Sequence, residues 1–196
     1  MNLNIVFIGD SYAGRSEIIW VFCEKKYNPN ILSTIGSDFK RKEIKLKNGE
    51  KINLKLVDTA GQERFHQIMK QKLKTADGVV INFDLTHREM FNHLTYYINM
   101  VRDNSKSNIP IVIFGNKCDL IEYREIKEEE AVQFCEKNNI RYFETSSLKY
   151  INIKEGIEEI TNEAYEFKIK NNNNNKLKYN KLKYNELIKL FKYINY

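Results

Sequence analysis

Cysteines are few in this sequence, and their placement excludes two classes of small protein. Only three occur among 196 residues, at Cys23, Cys118 and Cys135. Their scattered positions match neither the spacing of a metal site nor a framework of disulfide bridges. Such an odd, unpaired set is typical of a reducing compartment, and we therefore expect the protein to be cytoplasmic.

Long apolar runs are missing as well. No stretch of 18 consecutive apolar residues occurs, so we expect no transmembrane helix. Met1-Asn2 leads directly into the apolar residues 3–8, without the basic segment and cleavage site that a signal peptide needs. A length of 196 residues and a hydrophobic content of 42% are sufficient for one domain with a substantial core.

Excess positive charge is absent from most of the chain, although the formal net charge is +6. From Lys168 onward, eight lysines and one acidic residue, Glu186, give this segment a net charge of +7. Residues 1–167 therefore carry a net charge of −1. The overall charge does not support nucleic-acid binding by the globular part, and such a function would rest on the tail lysines alone.

Segments typical of strands alternate with segments typical of helices over the first 170 residues. Apolar runs and alternating patterns predict six strands, at residues 3–8, 39–46, 52–57, 79–83, 111–114 and 141–143. Helical apolar spacing occurs at residues 16–25, 90–101, 127–137 and 153–167. Asn48-Gly49 predicts a hairpin between the second and third strands. This order predicts an α/β fold with a mostly parallel six-stranded sheet, one antiparallel hairpin at its edge, and helices on both faces.

The composition changes after Lys170. Residues 171–175 are all asparagine, too polar to bury, and Lys-Leu-Lys-Tyr-Asn occurs at 176–180 and again at 181–185. We therefore expect one domain over residues 1–170 and a tail over 171–196. The tail has two interpretations: a disordered, solvated extension, or a basic amphipathic helix that contacts an anionic membrane. The apolar face of that helix would consist of Leu182, Leu187, Leu190, Phe191 and Ile194.

A glycine loop follows the first predicted strand and opens the first predicted helix. It consists of Gly9, Asp10, Ser11, Tyr12, Ala13, Gly14, Arg15 and Ser16. In such a turn, successive backbone N–H groups and the helix N-terminus form a cradle for phosphate. The pattern alone is weak, because a glycine turn of this length also arises by chance.

A second element, Asn116-Lys117-Cys118-Asp119, follows the strand at residues 111–114. This position is the carboxyl edge of a parallel sheet, where ligands bind. The carboxylate of Asp119 can accept from both N1–H and N2–H₂ of guanine, a pair of donors that adenine lacks. The stem of Lys117 can cover the base. The chemistry predicts guanine selection and disfavours an ATPase or kinase that uses ATP.

Together with Asp58-Thr59-Ala60-Gly61-Gln62, these motifs resemble a small GTPase of the Ras superfamily. Several strings narrow the resemblance to the Rab branch, namely residues 33–39, 60–65, 115–120 and 144–146. The resemblance covers about residues 3–167 and implies the P-loop NTPase fold of a G domain. It also implies GTP or GDP and Mg²⁺ as cofactors.

The resemblance assigns roles to residues around the phosphates. Ser16, Thr34 and Asp58 would hold Mg²⁺, with Asp58 acting through water. The Gly61 N–H would bond the γ-phosphate, and Gln62 would orient the attacking water. Release of Thr34 on hydrolysis would loosen the first switch loop.

At the guanine end, the resemblance implies a role for Asn116, Lys117 and Asp119. Ser146 and Ser147 belong to a turn in which a backbone N–H contacts guanine O6. Tyr27 occupies the position of an aromatic side chain that lies edge-on to the base, although a plain core tyrosine is an equal interpretation.

Two departures fall in the phosphate loop. Arg15 replaces the lysine of the family, and its planar fork is not equivalent to a compact ammonium group. Tyr12 replaces a glycine that adopts positive φ in many members, at a cost of roughly 1–2 kcal/mol for a bulky residue. Either the loop adjusts and binds nucleotide, or binding is weakened.

Other departures concern partners and membranes. Val57 stands where Rab proteins have an aromatic residue, residues 72–76 differ from the family segment, and Leu148 replaces a lysine. The last cysteine is Cys135, so we expect no prenylation at the C-terminus. Partner identity is therefore not implied by the resemblance.

We expect a Rab-like switch that hydrolyses GTP slowly and regulates vesicle-mediated transport. Its partners would be effectors, exchange factors and a GTPase-activating protein that contact the switch regions, since no arginine of the chain is placed as an internal finger. It would be monomeric, cytoplasmic or peripheral on intracellular membranes through the tail, and would bind no nucleic acid. The alternative is a pseudo-GTPase that serves as a protein-interaction module.

Overall fold

The computed structural model describes the backbone of residues 1–28, 31 and 34–194. Side chains are described for these residues other than Glu63 and those from 174 onward. Two sequence predictions lie outside these limits: the part of the Rab-like string at Ser33, and the apolar face of the tail helix at residues 182–194.

The strands of the described residues form one six-stranded sheet, in the order β2-β3-β1-β4-β5-β6. The strands are β1 (Asn2–Ile8), β2 (Ser37–Lys45), β3 (Lys51–Thr59), β4 (Gly78–Asp84), β5 (Ile111–Asn116) and β6 (Arg141–Glu144). β2 and β3 pair antiparallel, with Phe39 opposite Val57, and every other pairing is parallel. The predicted mostly parallel sheet with one antiparallel edge hairpin is confirmed.

Within the described part of the chain, six α-helices accompany the sheet. They are α1 (Arg15–Glu24), α2 (His66–Lys74), α3 (Arg88–Asn92), α4 (Leu94–Asn104), α5 (Glu128–Asn138) and α6 (Ile153–Ile194). The helix predicted over residues 90–101 is in fact two helices that meet at His93. Sequence reasoning missed α2, because only Met69 and Leu73 of its nine residues are buried and the apolar signal is correspondingly short.

Two apolar cores cover the two faces of the sheet. Alternate residues of β1 point to opposite sides, so that Val6 and Ile8 belong to one core while Ile5 and Phe7 belong to the other. Helices α2 to α5 pack on the first side, and α1 and α6 pack on the second. Both faces are therefore dry, as expected for parallel strands joined by helices.

Helix α6 closes the domain and continues beyond it. Ile153, Ile157 and Ile160 are fully buried against the sheet. The helical backbone extends to Ile194, past the end predicted at residue 167, and the boundary expected at residue 170 stays a prediction. Among the described residues, no helix combines the length and apolarity required to cross a bilayer.

The packing of α6 against β5 leads to a testable prediction at Gly156. A Cβ atom at this position would lie 2.6 Å from two ring carbons of Phe114. Helix propensity alone would favour Gly156→Ala by about 1 kcal/mol, whereas overpacking costs about 1–3 kcal/mol. Because the two effects oppose each other, we expect Gly156→Ala to lower the free energy of unfolding by up to about 2 kcal/mol, measured by urea denaturation. The exposed Glu155→Ala, in the same turn, should change it by less than about 0.5 kcal/mol. A stabilised Gly156→Ala protein would contradict this packing.

Candidate functional site

The glycine loop lies between the end of β1 and the start of α1, at the carboxyl edge of the sheet. Gly9 and Gly14 have φ angles of 141° and 90°. A Cβ atom on Gly9 would lie 2.1 Å from the Asn82 carbonyl oxygen, and one on Gly14 would lie 2.1 Å from the Asn116 side-chain nitrogen. Both positions therefore require glycine for conformation and for space.

Two buried asparagines tie this loop to the neighbouring strands. The side-chain amides of Asn82 and Asn116 both donate to the carbonyl oxygen of Ala13, with a distance of 3.1 Å for Asn116. Thr145 Oγ1 in turn donates to Asn116 Oδ1 over 3.3 Å. Asn116 thus connects the phosphate loop with the loop after β6. Sequence reasoning missed Asn82, although a polar residue inside the apolar run of β4 was a usable signal.

The side chain of Asp10 contacts two residues outside the glycine loop: Tyr97 of α4, and His93, which directly precedes α4. Its carboxylate accepts from the Tyr97 hydroxyl over 3.0 Å, and His93 Nδ1 lies 3.0 Å from its other oxygen. Burial, followed by the nearby Asp10 charge, raises the pKa of Tyr97 well above its usual value. Tyr97 therefore remains a donor at neutral pH. Neither partner of Asp10 was predicted from the sequence.

Arg15 points into the protein beneath the loop, with 7% of its surface exposed. Its Nε donates to the Thr59 carbonyl oxygen over 3.2 Å, and its Nη1 donates to the Asp10 carbonyl oxygen. Nε also lies 3.7 Å from Asp58 Oδ1. Burial lowers the pKa of Arg15 from its usual value, and the Asp58 charge opposes that shift. The guanidinium thus bridges the loop and β3 while facing a buried carboxylate.

The three residues assigned to Mg²⁺ converge. Ser16 Oγ donates to Asp58 Oδ2 over 2.6 Å, and Thr34 Oγ1 donates to the same oxygen over 2.5 Å. The two hydroxyl oxygens are 3.1 Å apart. These residues come from α1, the segment before β2, and β3, so only the fold brings them together.

The loop after β3 lies directly on the phosphate loop. A Cβ atom on Gly61 would lie 2.3 Å from the Ser11 nitrogen and 2.7 Å from the Gly9 carbonyl oxygen. Gln62 lines the same cavity, of about 130 Å³, as Ser11 and Arg15. The side chain of Gln62 is nevertheless engaged elsewhere, because its Oε1 accepts from Arg64 Nε over 2.8 Å.

The motif predicted to bind guanine, residues 116–119, lies at the end of β5, and its lysine contacts a buried acid. Lys117 Nζ is 2.6 Å from Asp84 Oδ2, and Asp84 is completely buried. Asp119 is half-buried. The Cys118 N–H donates to the Thr145 carbonyl oxygen over 3.1 Å, which joins this motif to the loop that follows β6. Asp84 was not predicted from the sequence.

The remaining residues of the guanine end lie in that loop and after α1. Ser146 is buried, with its Oγ accepting from the Lys149 N–H over 3.0 Å, and Ser147 is 9% exposed. Tyr27 is 38% exposed and lines one cavity together with Ser147. Tyr27 belongs to neither apolar core.

Tyr12 adopts the conformation that the missing glycine would favour. Its φ angle is 66°, and 79% of the side chain is exposed. The ring is therefore turned out of the loop and adds no packing that would offset the cost of a left-handed backbone, about 1–2 kcal/mol.

Comparison with known proteins identifies relatives over the same region. A model of the Ras family matches residues 4–166. Ras-related protein Rab11A of Lotus japonicus is 32% identical over 161 residues, which cover 82% of this chain and 71% of the relative. Ras-related protein Rab-13 of Canis lupus familiaris is 34% identical over 151 residues, covering 77% and 74%. Ras-related protein Rab-10 of Diplobatis ommata is 34% identical over 150 residues, covering 76% and 74%.

The backbone strain at Tyr12 is testable by comparing two truncations. Tyr12→Gly and Tyr12→Ala both remove the ring, but only glycine adopts positive φ freely. We expect the glycine variant to be the more stable by about 0.5–1 kcal/mol in urea denaturation, after allowing for its greater chain entropy when unfolded. At the exposed Ser107, whose φ is not positive, the order should reverse. An alanine variant at position 12 that equals the glycine variant would contradict the left-handed assignment.

Proposed function

The chain belongs to the Ras family, and on that basis we propose that it is a Rab-like molecular switch. It binds GTP or GDP with Mg²⁺, hydrolyses GTP slowly, and acts in vesicle-mediated transport between intracellular membranes. The observation that carries this proposal is the convergence of the Ser16 and Thr34 hydroxyls on one carboxylate oxygen of Asp58. Nothing in the local sequence requires three distant segments to meet in this way.

The chemistry of the converging groups fits Mg²⁺. Two hydroxyls and a carboxylate supply hard oxygen ligands, which this ion prefers. Asp58 Oδ1 is buried and accepts no hydrogen bond from the residues that the structure describes, although Arg15 Nε lies 3.7 Å away, so this oxygen keeps an acceptor position for a cation or its water. The bound ion would neutralise phosphate charge. The protein's own part is to hold these oxygens together and to present the N–H groups of the glycine loop to the phosphates.

Guanine selection rests on Asp119 and its supporting contacts. The Lys117–Asp84 ion pair and the hydrogen bond from the Cys118 N–H to the Thr145 carbonyl oxygen anchor the two residues that precede Asp119. A half-buried carboxylate held in this way can accept from two guanine donors. Tyr27 and Ser147, which share a cavity lining, complete the proposed base site.

The position of the Gln62 side chain supports the proposal of slow hydrolysis. To orient water, its amide must leave Arg64, to which it is hydrogen-bonded. We propose that an accessory protein stabilises the released position and supplies the catalytic arginine. Effectors and exchange factors contact the same two switch segments, and the protein itself is monomeric.

A second candidate is a nucleotide-independent interaction module, and Arg15 is the observation that favours it. Its guanidinium donates to two backbone carbonyls and faces Asp58, so the site is already partly neutralised without a ligand. If a nucleotide has to displace Arg15 from these contacts in order to bind, the free energy of the lost contacts reduces its affinity.

The nucleotide content of the purified protein distinguishes the two candidates. We expect near-stoichiometric GDP or GTP after denaturation and anion-exchange chromatography. We also expect Arg15→Lys to tighten GDP binding by about tenfold, because a lysine ammonium makes fewer contacts with the two carbonyls and is free for phosphate. A folded protein that holds no nucleotide, with or without Arg15→Lys, would favour the interaction module.

Single-turnover GTP hydrolysis tests the role of Gln62. Gln62→Leu removes the amide that orients water, and we expect the rate to fall at least about tenfold. Gln71→Leu, the same change at an exposed position on α2, is the matched control and should leave the rate unchanged. Equal rates for Gln62→Leu and the unmodified protein would exclude the assigned role.

A further inference from the structure

A cleft of about 650 Å³ lies between the end of α1, strand β2 and the loop that leads into α6. Its lining is strongly basic, with six lysines and a single carboxylate, that of Glu158. The lysines are Lys25, Lys26, Lys42, Lys45, Lys149 and Lys154. None of the roles assigned above to the phosphate loop or to the Mg²⁺ ligands uses this charge.

Most of these ammonium groups lack an acidic partner. Lys42 Nζ is engaged, because it donates to the carbonyl oxygens of Phe22 and Cys23 at the end of α1. Lys154 lies 3.8 Å from Glu158. Within the part of the chain that the structure describes, no ion pair or hydrogen bond involves the side chains of Lys26 and Lys149, which lie on the α1 side and the α6 side. A cleft lined by charge of one sign concentrates the electrostatic potential and attracts counter-ions.

One aromatic and one aliphatic side chain complete the lining. Tyr150 is 37% exposed and Leu148 is 56% exposed. They offer apolar surface and one hydroxyl next to the lysines, whereas Tyr27 of the same lining is assigned above to the guanine base. A simple inorganic anion would use only the charge, whereas a phosphorylated carbon ring would use both kinds of surface.

We propose that this cleft binds a compact ring that carries two or more phosphate groups, either as a free polyphosphate ester or as the headgroup of a phosphorylated lipid. Each phosphate monoester carries a charge of about −1.5 to −2 at neutral pH. Two or three such groups balance the excess of five positive charges in the lining, counted from its six lysines and one glutamate. Charge-assisted hydrogen bonds from lysine to phosphate supply the affinity.

The cleft is separate from the phosphate-loop cavity. The cavity that contains Ser11, Arg15 and Gly61 shares no lining residue with it. Two residues of the cleft lining, Tyr27 and Ser147, are also assigned above to the proposed guanine end. The inference goes beyond the proposed switch function, and it holds whether or not the protein turns over GTP.

The test uses the full chain, with GDP and Mg²⁺ in excess so that the nucleotide site is saturated. Inositol 1,4,5-trisphosphate is titrated by calorimetry. In parallel, sedimentation measures binding to phosphatidylcholine vesicles that contain phosphatidylinositol 4,5-bisphosphate, with phosphatidylserine vesicles of equal charge as the reference. The trisphosphate reports a free ester, and the vesicles report a lipid headgroup.

The double variant Lys26→Gln/Lys149→Gln removes one charge from each side of the cleft. We expect it to weaken binding of the trisphosphate, or of the bisphosphate vesicles, by about tenfold or more. Lys127→Gln/Lys137→Gln makes the same charge change at exposed positions at the two ends of α5, on the opposite face of the sheet. This control should bind within about twofold of the unmodified protein.

Binding to bisphosphate vesicles without binding to the soluble trisphosphate would support the cleft and identify a lipid as the source. Three results would overturn the proposal: no binding to either probe, equal weakening by the two double variants, or equal binding to phosphatidylserine vesicles of the same charge. Displacement of labelled GDP by the trisphosphate would also overturn it, because the ligand would then occupy the nucleotide site.

Discussion

The buried carboxylate of Asp58 is the contact on which the site depends. It accepts hydrogen bonds from Ser16 and Thr34 and lies 3.7 Å from the Arg15 guanidinium. A carboxylate placed in a protein interior is costly unless hydrogen bonds and opposite charge accompany it. Because its partners come from α1 and from the segment before β2, satisfying this one charge fixes the position of both relative to β3. The geometry of the predicted phosphate site therefore depends on hydrogen bonds and opposite charge around the Asp58 carboxylate as well as on packing.

The carbonyl oxygen of Ala13 has a similar connecting role on the other side of the loop. It accepts from Asn82 and Asn116, which end or interrupt neighbouring strands. Through Thr145 and the Cys118 N–H, the same network reaches the loop after β6. The predicted phosphate loop and the predicted guanine-binding loops are thus joined by one hydrogen-bonded network along the carboxyl edge of the sheet.

The strands and most helices were predictable from the sequence because their signal is local: apolar runs for β4 and β5, and Asn48-Gly49 for the hairpin. The motifs likewise identified the residues that the fold brings to its carboxyl edge. The supporting residues were not predictable in this way. Asn82 and Tyr97 bond to residues 69 and 87 positions away, and no pattern within a helix or strand encodes such a contact. Helix α2 was not predicted, because only two of its side chains are buried and its apolar pattern is short.

Arg15 has a kinetic consequence. A guanidinium keeps its proton at any physiological pH, so Arg15 offers Asp58 an opposite charge in the absence of a ligand. A contact that satisfies the site without ligand stabilises the empty form, and the free energy of that contact is subtracted from the affinity of whatever displaces it. For the nucleotide proposed above, the dwell time would be shortened by the same factor when the effect falls on dissociation. Part of the free energy needed to release such a ligand would therefore come from the Arg15 contacts that form again in the ligand-free protein.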